Sequence, residues 1–297
     1  MKVLVTGASG FIGAGVGRAL RAHGHHVLGL ARSTASADRL RRSSVEPVFG
    51  ALEEPERLRS AVTGVDAVVH AAFARHGTDD MSRAGEVETE GVRALLEVVG
   101  DRPIIYTSGL GVVGETGSRP VTDADPVHPP PGMAWRRALE LDTMRAAHGV
   151  VIRPPLVYGH ASGLVLTGLI EAALAAGASH YPLPGDNSWP NVHVDDLAEA
   201  FALALSAAPA GTVLNVVGGV STPRAVAEAI GRLIGRPEAT TGLPPEKARD
   251  VMPFADWLGT NQVVDATTTR AVLDWQPTRP AVTDDIATGS YRRFAAQ

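Results

Sequence analysis

Three glycines, Gly7, Gly10 and Gly13, recur at three-residue intervals directly after the apolar run Val3-Leu4-Val5 and open an amphipathic helix beginning near Phe11. A strand that turns at once into a helix, with glycine at each close approach, reads as the phosphate-binding turn of a dinucleotide site. Gly7 permits the tight turn, Gly10 lets backbone amides come up to a pyrophosphate, and Gly13 lets the helix pack against the strand. The helix amino terminus turns partial positive charge towards those phosphates. Ser9, Phe11 and Ile12 complete the cradle.

Beyond that turn, short apolar runs alternate with helical patterns. The runs are Val27 to Ala31, Val45 to Phe49, Asp66 to Ala72, and Ile104 to Ser108. Such alternation predicts an α/β fold with a Rossmann-type, doubly wound parallel sheet of about seven strands. Phe11, Ile12, Val16, Ala19 and Leu20 predict a helix ending before Gly24, and Val87, Val92, Leu95, Leu96 and Val99 predict another over 86–99. Pro126 and Pro129 to Pro131 exclude helix before Met133, after which one is expected over 133–147. Val150-Val151-Ile152-Arg153 reads as a sixth strand that stops at Pro154 and Pro155. An apolar helix is expected over 163–176, and the Gly/Pro/Asn-rich stretch 177–191 reads as a loop. That loop is expected to wall a substrate pocket with Asp186 and Trp189. The dinucleotide-binding domain is expected to comprise residues 1–157 and about 190–217, with a small substrate lobe from about 158–189 and 218–297.

Composition narrows the function. A net charge of -5 gives no basic footprint for nucleic acid. The chain has no cysteine, which removes thiol nucleophiles and cysteine metal sites, and it has no His-x3-His cluster, so no metal is expected. Met1-Lys2 runs straight into the first strand and no stretch approaches a membrane span, so the protein is expected to be cytoplasmic. The near-exclusive use of arginine over lysine resembles the coding bias of a GC-rich bacterium.

About 20 residues beyond the glycines, where an NAD site places a carboxylate for the ribose hydroxyls, the sequence reads Leu28-Gly29-Leu30-Ala31-Arg32-Ser33. No carboxylate stands there. Arg32 and Ser33 together suit a 2′-phosphate, so NADP(H) is the expected cofactor.

The glycine turn resembles that of the extended short-chain dehydrogenase/reductases, a group that includes NAD-dependent epimerases and dehydratases. The likeness continues through Asp66 to Ala72, Ile105-Tyr106-Thr107-Ser108, Arg153 to Gly159, Asn191 to Ala198 and Gly211 to Gly218. It implies a seven-stranded sheet, a small carboxyl-terminal substrate lobe and a dimer face on the helices near Glu86 and Met133. It also implies that Ala71, Ala72, Thr107, Arg136, Pro154 and Leu156 line the cofactor. The family's chemistry uses a Ser or Thr, a Tyr, and a Lys four residues after the Tyr. This chain has four tyrosines (106, 158, 181 and 291) and two lysines (2 and 247), none at that spacing. Counting back from Gly114 puts Gly109 at the hydroxyl position. Counting back from Glu140 puts Arg136 at the lysine position and Gly132 at the tyrosine position. The chain therefore resembles an atypical subgroup that keeps TGxxGxxG and loses YxxxK.

The candidate catalytic residues are then Ser108, Arg136 and Tyr158. Arg136 supplies positive charge but no proton, because guanidinium stays protonated at ordinary pH. His193 is expected to orient Asp195 or the backbone, His70 to be a satisfied core histidine, and Asp195-Asp196 to cap a helix. The expected function is NADPH-dependent reduction of a carbonyl or conjugated carbonyl in a small organic substrate, secondary metabolites included, with a nonstandard proton donor. One alternative is an epimerase or isomerase that uses bound NADP(H) without net consumption. The other is a non-catalytic NADP-sensing or partner-binding protein.

Overall fold

A computed structural model describes residues 1–73, 81–252 and 254–295. The amino-terminal half alternates β1 (Lys2–Thr6), α1 (Phe11–Ala22), β2 (His26–Ala31), α2 (Thr34–Arg42), β3 (Glu46–Phe49), α3 (Pro55–Ala61), β4 (Ala67–His70), α4 (Met81–Val99) and β5 (Ile104–Thr107). After the proline-rich loop come α5 (Ala134–Met144) and β6 (Gly149–Arg153), then β7 (Leu156–Tyr158), α6 (Leu164–Ala176), β8 (Ser179–Pro182) and β9 (Trp189–His193). The remainder is α7 (Val194–Ala207), β10 (Thr212–Asn215), β11 (Gly219–Ser221), α8 (Pro223–Leu233), β12 (Thr240–Leu243), α9 (Pro245–Val251), α10 (Ala255–Leu258), α11 (Thr267–Leu273) and α12 (Val282–Thr288).

Seven strands form one sheet in the order β10-β6-β5-β4-β1-β2-β3, and every neighbouring pair in it is parallel. Strand order reverses at β1, so the carboxyl edge between β1 and β4 is the crevice where such sheets take ligands. The strands are short and rich in Val, Ile and Leu because both faces are covered. Val3, Val5, Val69 and Ile152 bury into one core with α1 and α7, while Leu4, Val68 and Ile104 bury into the other with α3 and α4.

A second, three-stranded sheet, β11-β9-β7, and a two-stranded one, β12-β8, build the lobe with α6, α8 and the tail. Stretch 177–191, expected as a loop, is in part strand: β8 lies within it and β9 begins in it at Trp189, with loop between them. Trp189 and Asn191 pair with Ser221 and Gly219 of β11, which makes strand of a segment whose composition reads as turn. The helix expected over 86–99 begins earlier, at Met81. Among the described residues, no helix is long and apolar enough to cross a membrane.

Candidate active site at the carboxyl edge of the sheet

The glycine turn is built as its spacing requires. Gly7 has φ +71°, and a Cβ there would lie 2.5 Å from the Ala71 carbonyl oxygen and 2.7 Å from the Ala72 Cα. Ala71 and Ala72 thus close the crevice from the β4 side by backbone contact. Gly10 donates its N–H to the Gly7 carbonyl at 2.8 Å and is the residue before α1, whose first turn carries no acidic side chain. The first N–H groups of α1, at Phe11, Ile12 and Gly13, are those a helix leaves without an internal partner, and Ser9 precedes them in the turn. At the end of β2, Arg32 is exposed and Ser33 caps α2 by accepting from the Ser36 N–H at 3.2 Å. These residues fit a dinucleotide: the turn leaves no room for side chains, and the exposed Arg32 after β2 has no neighbouring carboxylate in its strand or turn.

Beside this cradle, β5 delivers Thr107 and Ser108. The Ser108 N–H continues the ladder by donating to the Ile152 carbonyl at 2.8 Å. Its hydroxyl and that of Thr107 are both buried without a well-formed hydrogen bond. The Ser108 side chain nonetheless lies close enough to Glu140 to help hold its charge, which leaves Thr107 Oγ1 the less engaged of the two. Arg136 of α5 reaches the same strand end, donating from Nη1 to the Ser108 carbonyl at 3.0 Å and to the Thr107 carbonyl at 3.4 Å. Its guanidinium carbon lies 5.0 Å from the Phe73 ring centre and 4.6 Å from that of Trp135, and these two rings are parallel within 4°. The site is therefore a cation anchored on the backbone of a strand end that also carries two buried hydroxyls, with an aromatic wall beside it.

Two buried carboxylates hold this arrangement, and neither was identified as a candidate from the sequence. Glu140 of α5 takes Nε and Nη2 of Arg153, each at 2.7 Å, and Arg137 at 2.9 Å. Burial alone would raise the Glu140 carboxyl, but the Arg153 contacts prevail, with help from nearby Ser108 and Arg137, and hold it below its ordinary value. Glu88 of α4 accepts from the Tyr106 hydroxyl at 3.0 Å and faces Arg136 Nη2 at 3.5 Å. Burial pushes its carboxyl up to about 7 against the opposing pull of Arg136 and the Tyr106 hydrogen bond. His70 is in the core as expected but only half satisfied: Nδ1 pairs with Thr6 Oγ1 at 3.0 Å, while Nε2 is buried without a well-formed hydrogen bond. Burial and the Arg136 charge push its imidazole down to about 3, so it stays neutral.

Other expected residues lie elsewhere. Tyr158 is buried and donates its hydroxyl to the Pro280 carbonyl at 2.6 Å, and burial pushes that hydroxyl well up. It fastens the tail to the lobe and is not poised as an acid. Two of the remaining three tyrosines have their hydroxyls engaged, and the third lies in the lobe. Tyr106 serves Glu88, Tyr291 donates to the Ser162 carbonyl, and Tyr181 lies under Arg224 in the lobe. Leu156 is buried in the lobe core with Ile170 and Trp189, so it can meet a cofactor only through its backbone. Pro154 accepts from the Leu110 N–H at 2.8 Å and shapes the loop after β6. Trp189 is 1% exposed, packs against Trp257 and borders only a small cavity inside the lobe with Leu169 and Met252, while Asp186 is exposed.

His193 caps α7, its Nδ1 accepting the Asp195 N–H at 3.1 Å. Asp195 in turn binds His160 at 2.9 Å and faces Arg18 at 3.4 Å and Arg279 at 3.5 Å. His160, His193 and Asp195 bring ligand-type atoms within 4.8 Å of one another, but two guanidinium groups already answer the carboxylate. The cluster is an ion-pair knot between α1, α7 and the tail. Asp196 accepts from the Thr278 N–H and hydroxyl and from the Arg279 N–H, which fixes the tail to the first turn of α7.

A seven-stranded parallel sheet with a glycine-lined crevice at its reversal point defines a dinucleotide-binding Rossmann protein. The sequence profile of the NAD dependent epimerase/dehydratase family matches residues 3–217, and the chain belongs to that family. It is 32% identical over 300 residues to an uncharacterised protein of Schizosaccharomyces pombe, covering 98% of this chain and 100% of that protein. It is 30% identical to a 3-diazoavenalumate denitrifying reductase of a Streptomyces species, covering 96% and 99% of the two chains. Among solved structures, the UDP-glucose 4-epimerase of Thermus thermophilus, in complex with NAD, shares the fold with a TM-score of 0.77. That match has 24% identity and covers 100% of both chains.

Proposed function

We propose that this protein is an NADPH-dependent reductase of a carbonyl or conjugated carbonyl in a small organic compound. The observation that carries the reading is Arg136, held on the Thr107 and Ser108 carbonyls at the carboxyl edge of β5, where the same two residues bring their hydroxyls. When bound, the nicotinamide supplies the hydride. The chain's own part is to hold the substrate oxygen where negative charge develops. A guanidinium and a hydroxyl suit that task, and the wall of Phe73 and Trp135 favours a flat, conjugated substrate. The hydroxyls of Tyr106, Tyr158 and Tyr291 are engaged by other partners, and Tyr181 lies in the lobe, so no tyrosine is assigned as the proton donor. In this reading it comes from water or from the hydroxyls at residues 107 and 108, replenished from solvent. Kinship to a Streptomyces reductase supports reduction, and similar kinship to a UDP-glucose 4-epimerase keeps isomerisation as the second reading.

The test follows NADPH absorbance against a panel of ketones, enones, quinones and sugar nucleotides. Oxidation that depends on one of the first three classes supports the reading. Turnover of a sugar nucleotide without net NADPH loss replaces it with isomerisation. Tight NADPH binding with no turnover across the panel favours a sensor.

Two variants examine its parts. Arg32→Glu is expected to weaken NADPH binding on the order of 100-fold, because a cation facing a 2′-phosphate becomes an anion, while NADH binding changes little. Equal weakening of both cofactors in fluorescence titration removes Arg32 from the phosphate site. Ser108→Ala is expected to lower turnover by about 100-fold with NADPH affinity within about twofold, as for loss of one oxyanion donor. Unchanged turnover takes the Ser108 hydroxyl out of the chemistry.

A further inference from the structure

The two buried carboxylates flanking the site are held very differently. Glu140 has three charge-assisted hydrogen bonds at 2.7, 2.7 and 2.9 Å, enough to keep a solvent-excluded charge. Glu88 is equally buried yet has one good donor, the Tyr106 hydroxyl, and a single long contact of 3.5 Å to Arg136. A carboxylate out of water with so little compensation exchanges its charge for a proton readily. The group it faces is also the cation held on the Thr107 and Ser108 carbonyls.

We propose that Glu88 is a proton-operated latch on Arg136: as a carboxylate it holds the guanidinium back against α4, and as a neutral acid it frees the guanidinium for the developing oxygen anion of a carbonyl substrate. Glu88 and the substrate oxygen compete for one cation. Binding of an anionic oxygen is therefore coupled to proton uptake by Glu88 from solvent. The latch rests on the reductase reading in one respect, that Arg136 faces the substrate.

Among the described residues, every charged neighbour agrees with Glu88 as the titrating group. From α5 comes Arg136, which stays protonated throughout. From β5 comes Tyr106, whose hydroxyl is pushed well up by burial and by the Glu88 charge, so it remains the donor. From β4, His70 stacks 5.8 Å from the Tyr106 ring and is already neutral at any pH above about 3. Glu140 lies one turn further along α5, but Arg153 of β6 and Arg137 keep it ionised. On α4 itself, Glu86 and Glu90 point outward, and Glu86 pairs with Arg83 at 2.9 Å.

Arg136 lies against the Trp135 indole, so tryptophan emission reports the latch without any substrate. Emission of the full chain is titrated between about pH 5.5 and 8.5. The wild-type protein is expected to show a transition with its midpoint at about 7. The transition should vanish in Trp135→Phe, which assigns the signal, and in Glu88→Gln, which assigns the proton. Tyr106→Phe removes the one good hydrogen bond to the ionised form and should raise the midpoint by about one unit. This variant carries the test if Glu88→Gln does not fold. A flat wild-type titration, a transition that survives Glu88→Gln, or a midpoint unmoved by Tyr106→Phe each overturns the latch. A flat titration in a protein that still reduces carbonyl compounds defeats the latch alone. A Glu88-dependent transition in a protein that oxidises no NADPH with any carbonyl defeats the reductase reading alone.

Discussion

Gly13→Ala is expected to abolish dinucleotide binding and to destabilise the fold by about 2–3 kcal/mol. The added Cβ would stand 2.6 Å from the Gly7 carbonyl carbon and 2.9 Å from the Ala8 nitrogen, and closer still to the Gly7 carbonyl oxygen. All of these are backbone atoms of the phosphate turn, so relief requires opening the turn itself. That same carbonyl accepts the Gly10 N–H, and the crevice loses its shape along with its hydrogen bond. Gly17 on the same helix is the natural control. A Cβ there meets only Val45 and Val27 side chains, at 3.7 and 3.9 Å, ordinary packing distances. Gly17→Ala is expected to stabilise by about 0.5–1 kcal/mol through helix propensity, with NADPH affinity unchanged. Urea denaturation and cofactor titration of both variants decide the matter. Near-wild-type binding by Gly13→Ala means that the glycine turn does not hold a pyrophosphate.

Glu140→Ala is expected to cost about 3–5 kcal/mol, because it strands the Arg153 guanidinium in a site that is 1% exposed. The loss reaches the active site as well. The Glu140 pair ties α5 to β6, and Arg136 hangs on α5 one turn earlier. The double replacement Glu140→Leu with Arg153→Met removes both charges and should recover most of the stability, as replaced buried pairs commonly do. Chemical denaturation distinguishes the cases. A single replacement costing under about 1 kcal/mol would show that solvent reaches Arg153.

The parts of this molecule written in local pattern are legible in the chain. The β-branched runs around Val3, Val27, Val68 and Ile104 announce strands covered on both faces, and the glycine turn announces its ligand class. Stretch 177–191 misleads because its glycines, prolines and asparagine have turn chemistry. Pairing of β9 with β7 and β11 overrides that chemistry, and Pro190 is accommodated within β9. Glu88 was hidden differently. Glu86, Glu88 and Glu90 alternate along α4 like a solvated face, yet helical spacing puts Glu88 in line with Val92, Leu95 and Val99, all buried. A carboxylate in an apolar stripe was the available signal. Tyr158 follows β6 closely enough to suggest the active site. Only the tertiary contact with Pro280 shows where its hydroxyl goes.

The three hydrogen bonds that gather Thr278 and Arg279 onto Asp196 have a consequence for how such a chain diversifies. Residues 216–277 leave the end of β10 and return to an anchor on α7, so both ends of the excursion are pinned to the main body. Lengthening a segment closed in this way costs only about 0.6 kcal/mol per doubling of its length. Insertions within this excursion are thus expected to cost little stability while the sheet, the glycine turn and the Asp196 anchor stay as they are.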